Sequence, residues 1–137
     1  MYDEQMIAPM RREVTDLGAA QLMNAAEVDS WMDEKEGTAL IFVNSVCGCA
    51  AGGARPGLAL ALAAEKTPKR FATVFAGQDR EATEQARQYF VGYPPSSPQM
   101  ALFQNGEIVL MLGRHDIEGR MPVEIANRLA EAFAEFC

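Results

Sequence analysis

Residues 38–53, TALIFVNSVCGCAAGG, place two cysteines one residue apart directly after an apolar run. The run over 38–45 is continuous and β-rich, which is typical of a strand buried on both faces. Cys47 and Cys49 follow that strand at its carboxyl end. Open α/β sheets place their chemistry at such strand ends, so we take this stretch as both the centre of the fold and the candidate site.

The sequence on either side predicts alternating helices and strands. Asn24 followed by Glu27 resembles a capping box, and the helix that it opens is expected to end at Gly37. Asn105-Gly106 suits the type I′ turn of a β-hairpin. The other predicted elements are a helix from 10 to 17, a helix over 55–66, a strand over 70–77, a helix over 79–93 with Asp79 as its N-cap, the hairpin over 100–112 and a helix over 122–136.

These elements predict an α/β fold with a central mixed β-sheet flanked by helices on both faces. The first two strands are joined by a helical crossover and should be parallel, whereas the hairpin adds antiparallel pairing. The length of 137 residues predicts one domain over 1–137. Residues 1–12 show little periodicity and are expected to be a loosely attached N-terminal segment.

The composition excludes several classes of partner. The net charge is −7 and no Lys/Arg run exceeds two residues, which argues against binding to nucleic acid or to anionic membranes. No apolar stretch is long enough to cross a bilayer, and the acidic N-terminus lacks the apolar region of a signal peptide. We therefore expect a cytoplasmic protein, in which thiols stay reduced unless they are catalytic.

The spacing of the two cysteines suits thiol–disulfide exchange. Exchange requires one attacking thiolate and a second thiol close to it, as Cys47 and Cys49 are by sequence alone. A strand end that leads into a helix start supplies backbone N–H groups, which lower a thiol pKa. Arg55 would add positive charge if the loop folds back, and Gly48 supplies the backbone freedom that a small disulfide ring requires.

Two other interpretations of the pair remain open. A structural zinc site wants four ligands, and beyond the two cysteines only His115 and Cys137 are available. The pair could also be small core residues. His115 otherwise fits a surface turn, and Cys137 is either a third thiol or an inert terminal residue.

Other residues near the pair also have two interpretations. Asn44 and Ser45 either hydrogen-bond a thiolate or simply end the strand. Arg55 either steers an anionic thiol adduct or is a solvated loop arginine.

Several blocks of the sequence resemble one family. SPQMALFQNGE, residues 97–107, is similar to the segment of thioredoxin-fold proteins in which a cis proline, here Pro98, precedes an apolar strand and a hairpin. More closely, the chain resembles the bacilliredoxins, small thioredoxin-fold proteins with a Cys-Gly-Cys site. The blocks that carry this resemblance are VNSVCGCAAGGARPG (43–57), YPPSSPQMALFQNGE (93–107), GRHDIEGR (113–120) and APMRREVTDLGA (8–19).

The resemblance implies a thioredoxin-like fold and an enzyme, a thiol–disulfide oxidoreductase that removes bacillithiol from mixed disulfides on client proteins. Bacillithiol, a low-molecular-weight thiol, would be a co-substrate, with no bound cofactor or metal. Cys47 would be the attacking thiol, and Cys49 would be the resolving thiol or a modulator. The candidate substrate-binding residues are Gly48, Ser97, Pro98, Asn44 and Arg55. Two alternatives stay open, a protein disulfide isomerase or general disulfide oxidoreductase, and a non-enzymatic metal or iron–sulfur protein.

Three departures from ordinary thioredoxins accompany the resemblance. Val46 stands where thioredoxins have tryptophan, Ile41 replaces a buried aspartate, and the spacing between the cysteines is one residue shorter. These changes favour a more oxidising site than that of thioredoxin.

Overall fold

The computed structural model describes residues 1–137 and contains one five-stranded sheet with helices on both faces. The strand order is β1-β3-β2-β4-β5, so that β2 is the central strand. β1 and β2 run parallel to β3, whereas β4 is antiparallel to β2 and β5 is antiparallel to β4. The strands are β1 Ala20–Gln21, β2 Thr38–Asn44, β3 Arg70–Phe75, β4 Gln99–Gln104 and β5 Glu107–Leu112. The predicted mixed α/β sheet is confirmed.

Two hydrophobic clusters hold helices against opposite faces of the sheet. Leu40 and Phe42 of β2 face the cluster formed with α1, α3 and α6, and Ile41 and Val43 face the cluster formed with α2 and α4. Every residue of β2 is therefore buried, as its apolar sequence predicted. The helices are α1 Glu4–Thr15, α2 Ala25–Met32, α3 Arg55–Ala61, α4 Arg80–Gln88, α5 Arg114–Ile117 and α6 Pro122–Phe136.

Local signals in the sequence determine one hairpin turn and one helix start. Asn105 and Gly106 both have positive φ, 50° and 85°, as the predicted type I′ turn requires. The Asn24 side chain accepts a hydrogen bond of 2.9 Å from the Glu27 N–H, which confirms the predicted helix start. That helix ends at Met32, five residues before Gly37.

The expectation of a loosely attached segment over residues 1–12 is wrong. Asp3 caps α1, and Ile7 and Val14 on this helix are fully buried. Arg11 also anchors the helix, because its guanidinium pairs with Glu4 and, at 2.7 Å, with Asp79.

That pairing also corrects the expected role of Asp79. The residue occupies the N-cap position of α4, but its side chain makes no capping hydrogen bond. Its carboxylate accepts instead from both terminal nitrogens of Arg11, so it stabilises the docking of α1.

Further differences concern short elements. The two-residue β1 and the four-residue α5 were not predicted, and the helices expected over 55–66 and 79–93 are shorter than their sequence patterns. A wide helical turn over Ala50–Ala54 precedes α3. None of the helices combines the length and the hydropathy that crossing a bilayer requires.

Candidate active site

The cysteine pair lies where the central strand passes into a helix. β2 ends at Asn44, and the hydroxyl of Ser45 accepts a hydrogen bond of 3.1 Å from the Cys47 N–H. The chain then turns helical at Gly48, and the Cys47 carbonyl accepts from the N–H groups of Ala50 and Ala51. Cys47 therefore stands at the start of a helical segment, as its position in the sequence predicted.

The two sulfur atoms are in direct contact. Cys47 Sγ and Cys49 Sγ lie 2.6 Å apart, and both residues are free thiols. Both side chains are half-buried, and Gly48 between them is exposed. Gly48 has no positive φ in this reduced form. An outside sulfur atom can therefore approach the pair, and a bond between the two thiols needs little movement.

The surroundings drive the two thiol pKa values in opposite directions. The pKa of Cys47 is lowered, mainly because the Cys49 thiol donates a hydrogen bond to its sulfur, helped by the backbone N–H of Cys49 and the charge of Arg114. The pKa of Cys49 is raised, mainly by burial and then by the neighbouring Cys47. This arrangement favours ionisation of Cys47 over that of Cys49.

Arg114, which the sequence analysis did not single out, is the cation that acts on both thiols. Its charge lowers the pKa of Cys47 and opposes the rise at Cys49. Its backbone N–H donates a hydrogen bond of 2.7 Å to the Ser96 hydroxyl, and its guanidinium pairs with Glu118. No local pattern predicts its position, because it reaches the site only through the packing of α5 against the turn after Cys49.

Arg55 is neither a solvated loop residue nor free to contact a substrate. It is 3% exposed, and its guanidinium donates to the Asn44 side-chain oxygen at 3.0 Å and to the Ser45 carbonyl at 2.9 Å. Its remaining partner is Glu13 on α1, at 3.2 Å. The expected substrate contact through Arg55 is therefore corrected to an internal one that holds the loop before Cys47.

Asn44 has a similar internal role. It is fully buried, accepts from the Ser45 N–H and donates to the Met10 carbonyl of α1 at 3.1 Å. The oxygen and the nitrogen of its side-chain amide therefore both have partners within the protein, which rules out the expected contact with a substrate. Together with Arg55 it ties α1, β2 and the start of α3 into one unit.

Ser97 and Pro98 lie at the same end of the sheet as the cysteines. The Ser97–Pro98 peptide bond is cis, as the resemblance implied. Val43 of β2 pairs with Gln99 of β4, so the preceding Pro98 lies beside the end of β2, from which the cysteine loop departs.

His115 and Cys137, the other residues considered for the site, do not join the pair. The His115 side chain is 86% exposed and faces Asp116. Gln104, which pairs with Thr38 at the start of β2, donates a hydrogen bond to the Phe136 carbonyl. Cys137 is therefore at the opposite end of the sheet from Cys47, roughly 20 Å away for a strand of this length. The chain brings together no group of three or more His, Cys, Asp or Glu side chains able to hold a metal ion.

Comparison with known proteins assigns the family. Residues 2–137 match a family described as disulphide isomerase. A bacilliredoxin of Halalkalibacterium halodurans is 52% identical over 136 residues, covering 99% of this chain and 93% of the relative. A bacilliredoxin of Staphylococcus epidermidis is 48% identical, covering 100% of this chain and 94% of the relative.

Solved structures confirm the fold. The thioredoxin of Fasciola hepatica superposes with a TM-score of 0.56 at 20% sequence identity, covering 85% of this chain and 98% of that chain. The thioredoxin pre-protein of Schistosoma mansoni gives 0.57 at 16% identity, covering 85% of this chain and 96% of that chain.

Three findings indicate the same family: the thiol pair at the end of the central strand, the thioredoxin fold, and relatives that match nearly the whole chain. The chain belongs to the bacilliredoxin family and is a thiol–disulfide oxidoreductase.

Proposed function

We propose that the protein removes bacillithiol from mixed disulfides on client proteins, with Cys47 as the attacking thiol and Cys49 as the resolving thiol. The single observation that carries this assignment is the 2.6 Å contact between the two sulfurs, in which the pKa of one thiol is lowered and that of the other is raised. The bacilliredoxin names of the relatives support bacillithiol as the small thiol.

The reaction begins with attack by the Cys47 thiolate on the bacillithiol sulfur of the mixed disulfide. A bond forms between Cys47 and bacillithiol, the old disulfide breaks, and the client sulfur leaves as a thiolate that takes up a proton. The client is thereby reduced, and the oxidised centre moves to Cys47.

Two routes return Cys47 to the thiolate. A second bacillithiol thiolate can attack the adduct, which releases bacillithiol disulfide. Alternatively, Cys49 loses its proton and attacks Cys47 Sγ, which releases bacillithiol and leaves a Cys47–Cys49 disulfide. This second product has lost two electrons and needs two further thiol equivalents for its reduction.

We also propose that this exchange takes place in the cytoplasm. Its reducing thiol pool would return an exposed, closely spaced cysteine pair to the dithiol form.

The test of the assignment is transfer from a bacillithiolated client, followed by mass spectrometry of both proteins. Cys47→Ala should abolish transfer, and Cys49→Ala should accumulate one bacillithiol adduct on Cys47. Cys137→Ala is the matched control and should behave as the wild type. An adduct found on Cys49 or Cys137 instead would overturn the assignment of the attacking thiol.

Disulfide isomerisation is the second candidate, favoured by the description of the matching family. Isomerisation would use the same attack by Cys47, here on a disulfide of the client. Cys49 would then attack Cys47 and release the client. Single-turnover assays with bacillithiolated, glutathionylated and scrambled forms of one client separate the candidates. Fastest action on the bacillithiolated client supports the proposal, equal action on both adducts supports a general oxidoreductase, and fastest recovery of the scrambled client supports an isomerase.

A further inference from the structure

A cleft of about 260 Å³ lies beside Gln99 and Gly113, at the end of the sheet where β2 passes into the cysteine loop. Ser96, which lines it, accepts a hydrogen bond from the Arg114 N–H, while the charge of Arg114 acts on both thiols. The cleft and the sulfurs therefore share Arg114 as a neighbour. Its lining includes Tyr93, Ser96, Gln99, Met111, His115 and Asp116.

Gln99 is the unusual member of this lining. The residue is 1% exposed, and its side-chain nitrogen donates to the Pro94 carbonyl at 3.4 Å. Its side-chain oxygen is buried and has no hydrogen-bond partner. Native proteins satisfy nearly all buried polar atoms, and this oxygen is left to accept a hydrogen bond from a donor that enters the cleft.

Asp116 supplies a second acceptor to the cleft. The Asp116 carboxylate accepts from the Gly113 N–H at 3.0 Å, and its side chain remains 27% exposed. The Ser96 carbonyl accepts a hydrogen bond from the Arg87 guanidinium. The half-exposed ring of Tyr93 adds an apolar surface at the rim. A ligand that suits the Gln99 and Asp116 oxygens therefore carries O–H or N–H donors and an apolar face, and the hydroxyl groups of Tyr93 and Ser96 can donate to its oxygens.

We propose that the cleft binds the hydroxyl- or amine-bearing portion of a low-molecular-weight thiol while the sulfur of that thiol is bonded to Cys47. Gln99 Oε1 accepts a hydrogen bond from this portion and makes Gln99 a specificity-determining residue. The inference rests on the proposed exchange at Cys47. A compact molecule suits the site better than a polypeptide, because the volume is small.

Two matched adducts test the proposal without requiring a particular natural substrate. One client is prepared as its mixed disulfide with thioglucose, a ring rich in hydroxyl groups, and as its mixed disulfide with cyclohexanethiol, a ring of the same size without donors. kcat/KM is measured for both with the wild type, Gln99→Met and Gln99→Glu. Methionine keeps the length of the side chain without the acceptor, whereas glutamate keeps an acceptor oxygen.

Gln99→Met should lower kcat/KM for the thioglucose adduct about three- to tenfold, the effect of one neutral hydrogen bond, and leave the cyclohexyl adduct unchanged. Gln99→Glu should keep the wild-type preference for thioglucose. Equal loss on both adducts, or no loss on either, would overturn the proposal.

A measurement on the unsubstituted Gln99 covers the case in which its variants fold poorly. Thioglucose and cyclohexanethiol are each trapped on Cys47 of Cys49→Ala, and the Gln99 side-chain amide is followed by NMR. Its signals should shift in the thioglucose adduct only; the absence of a difference would contradict binding in the cleft.

Repeating the kinetics with a bacillithiol adduct distinguishes this inference from the proposed function. If the wild type fails to release bacillithiol but retains a Gln99-dependent preference for thioglucose, the bacillithiol assignment fails and the cleft stands. If bacillithiol is released equally well by the wild type and Gln99→Met, the cleft proposal fails and the function stands.

Discussion

The guanidinium of Arg55 donates a hydrogen bond of 2.9 Å to the main-chain carbonyl of Ser45, across the whole cysteine loop. The same nitrogen donates to the Asn44 side chain at 3.0 Å. The loop that contains both thiols is therefore fastened at its two ends by one buried cation. Its position before Cys47 depends on a residue that no substrate can reach.

Replacement of Arg55 should disturb both stability and reactivity. Arg55→Met leaves the Ser45 carbonyl and the Asn44 oxygen without this donor, so we expect the free energy of unfolding to fall by about 2–3 kcal/mol. Urea unfolding measures this loss, and the rate of Cys47 alkylation measures the change at the site. Arg12→Met, which removes an exposed arginine of α1, is the control. A stable variant with unchanged alkylation would contradict the role of Arg55.

The pH dependence of thiol reactivity should reveal the asymmetry of the pair. Because the pKa of Cys47 is lowered, its thiolate fraction rises at a lower pH than that of a free thiol, whose pKa is about 8.5. Its alkylation rate should therefore reach its plateau at a lower pH than that of a free thiol. Cys49 should ionise in a second step, at higher pH. Ultraviolet absorbance of the thiolates follows both steps.

The hydrogen bond from Cys49 is the first cause of the lowered Cys47 pKa. Cys49→Ala should consequently move the Cys47 pKa upwards, towards the free value. Cys137→Ala should leave the titration of Cys47 unchanged. A Cys47 pKa that stays the same in Cys49→Ala would show that the helix start and Arg114 lower this pKa without the hydrogen bond from Cys49.

Removing the charge of Arg114 should slow the attack by Cys47. In Arg114→Gln the thiolate loses a favourable charge, so we expect the rate at neutral pH to fall about two- to fivefold. The difference from the wild type should shrink at high salt, because Arg114 is half exposed and its charge is screened. Arg120→Gln, an exposed arginine beyond α5, is the matched control, and an equal effect in both variants would argue against a specific role.

The packing of α3 against α6 should depend on Gly57. A Cβ atom at this position would lie 3.0 Å from Ile125 side-chain atoms and 3.1 Å from the Pro122 carbonyl. Gly57→Ala should therefore reduce the free energy of unfolding by about 1–3 kcal/mol. Gly52→Ala is the control, since no atom lies within 4 Å of the corresponding Cβ. Thermal unfolding that ranks Gly52→Ala below Gly57→Ala would contradict the close contact.

The parts of the structure that local sequence signals determine were predictable. The buried strand β2, the Asn105-Gly106 turn and the helix α6 each follow from residues close together in the chain. The cysteine pair at the end of β2 followed from these elements and the rules of open sheets.

The parts that depend on partners distant in sequence were not predictable. β1 exists only because Ala20 and Gln21 pair with Ala72 and Thr73. Arg55 turned inward because its buried acceptors, Asn44 and Ser45, are supplied by another element. Nothing in the pattern of residues 1–12 indicated that Arg11 would form an ion pair with Asp79.

The docking of α1 has a practical consequence for handling the protein. Tyr2 donates its backbone N–H to the Gln78 side chain, and the Met10 carbonyl holds the amide of Asn44 just before the cysteine loop. We therefore expect a tag or linker placed ahead of this helix to disturb the contacts of α1 that support the cysteine loop. Attachment through the carboxyl end, beyond α6, should affect the cysteines less, because that end lies at the opposite end of the sheet.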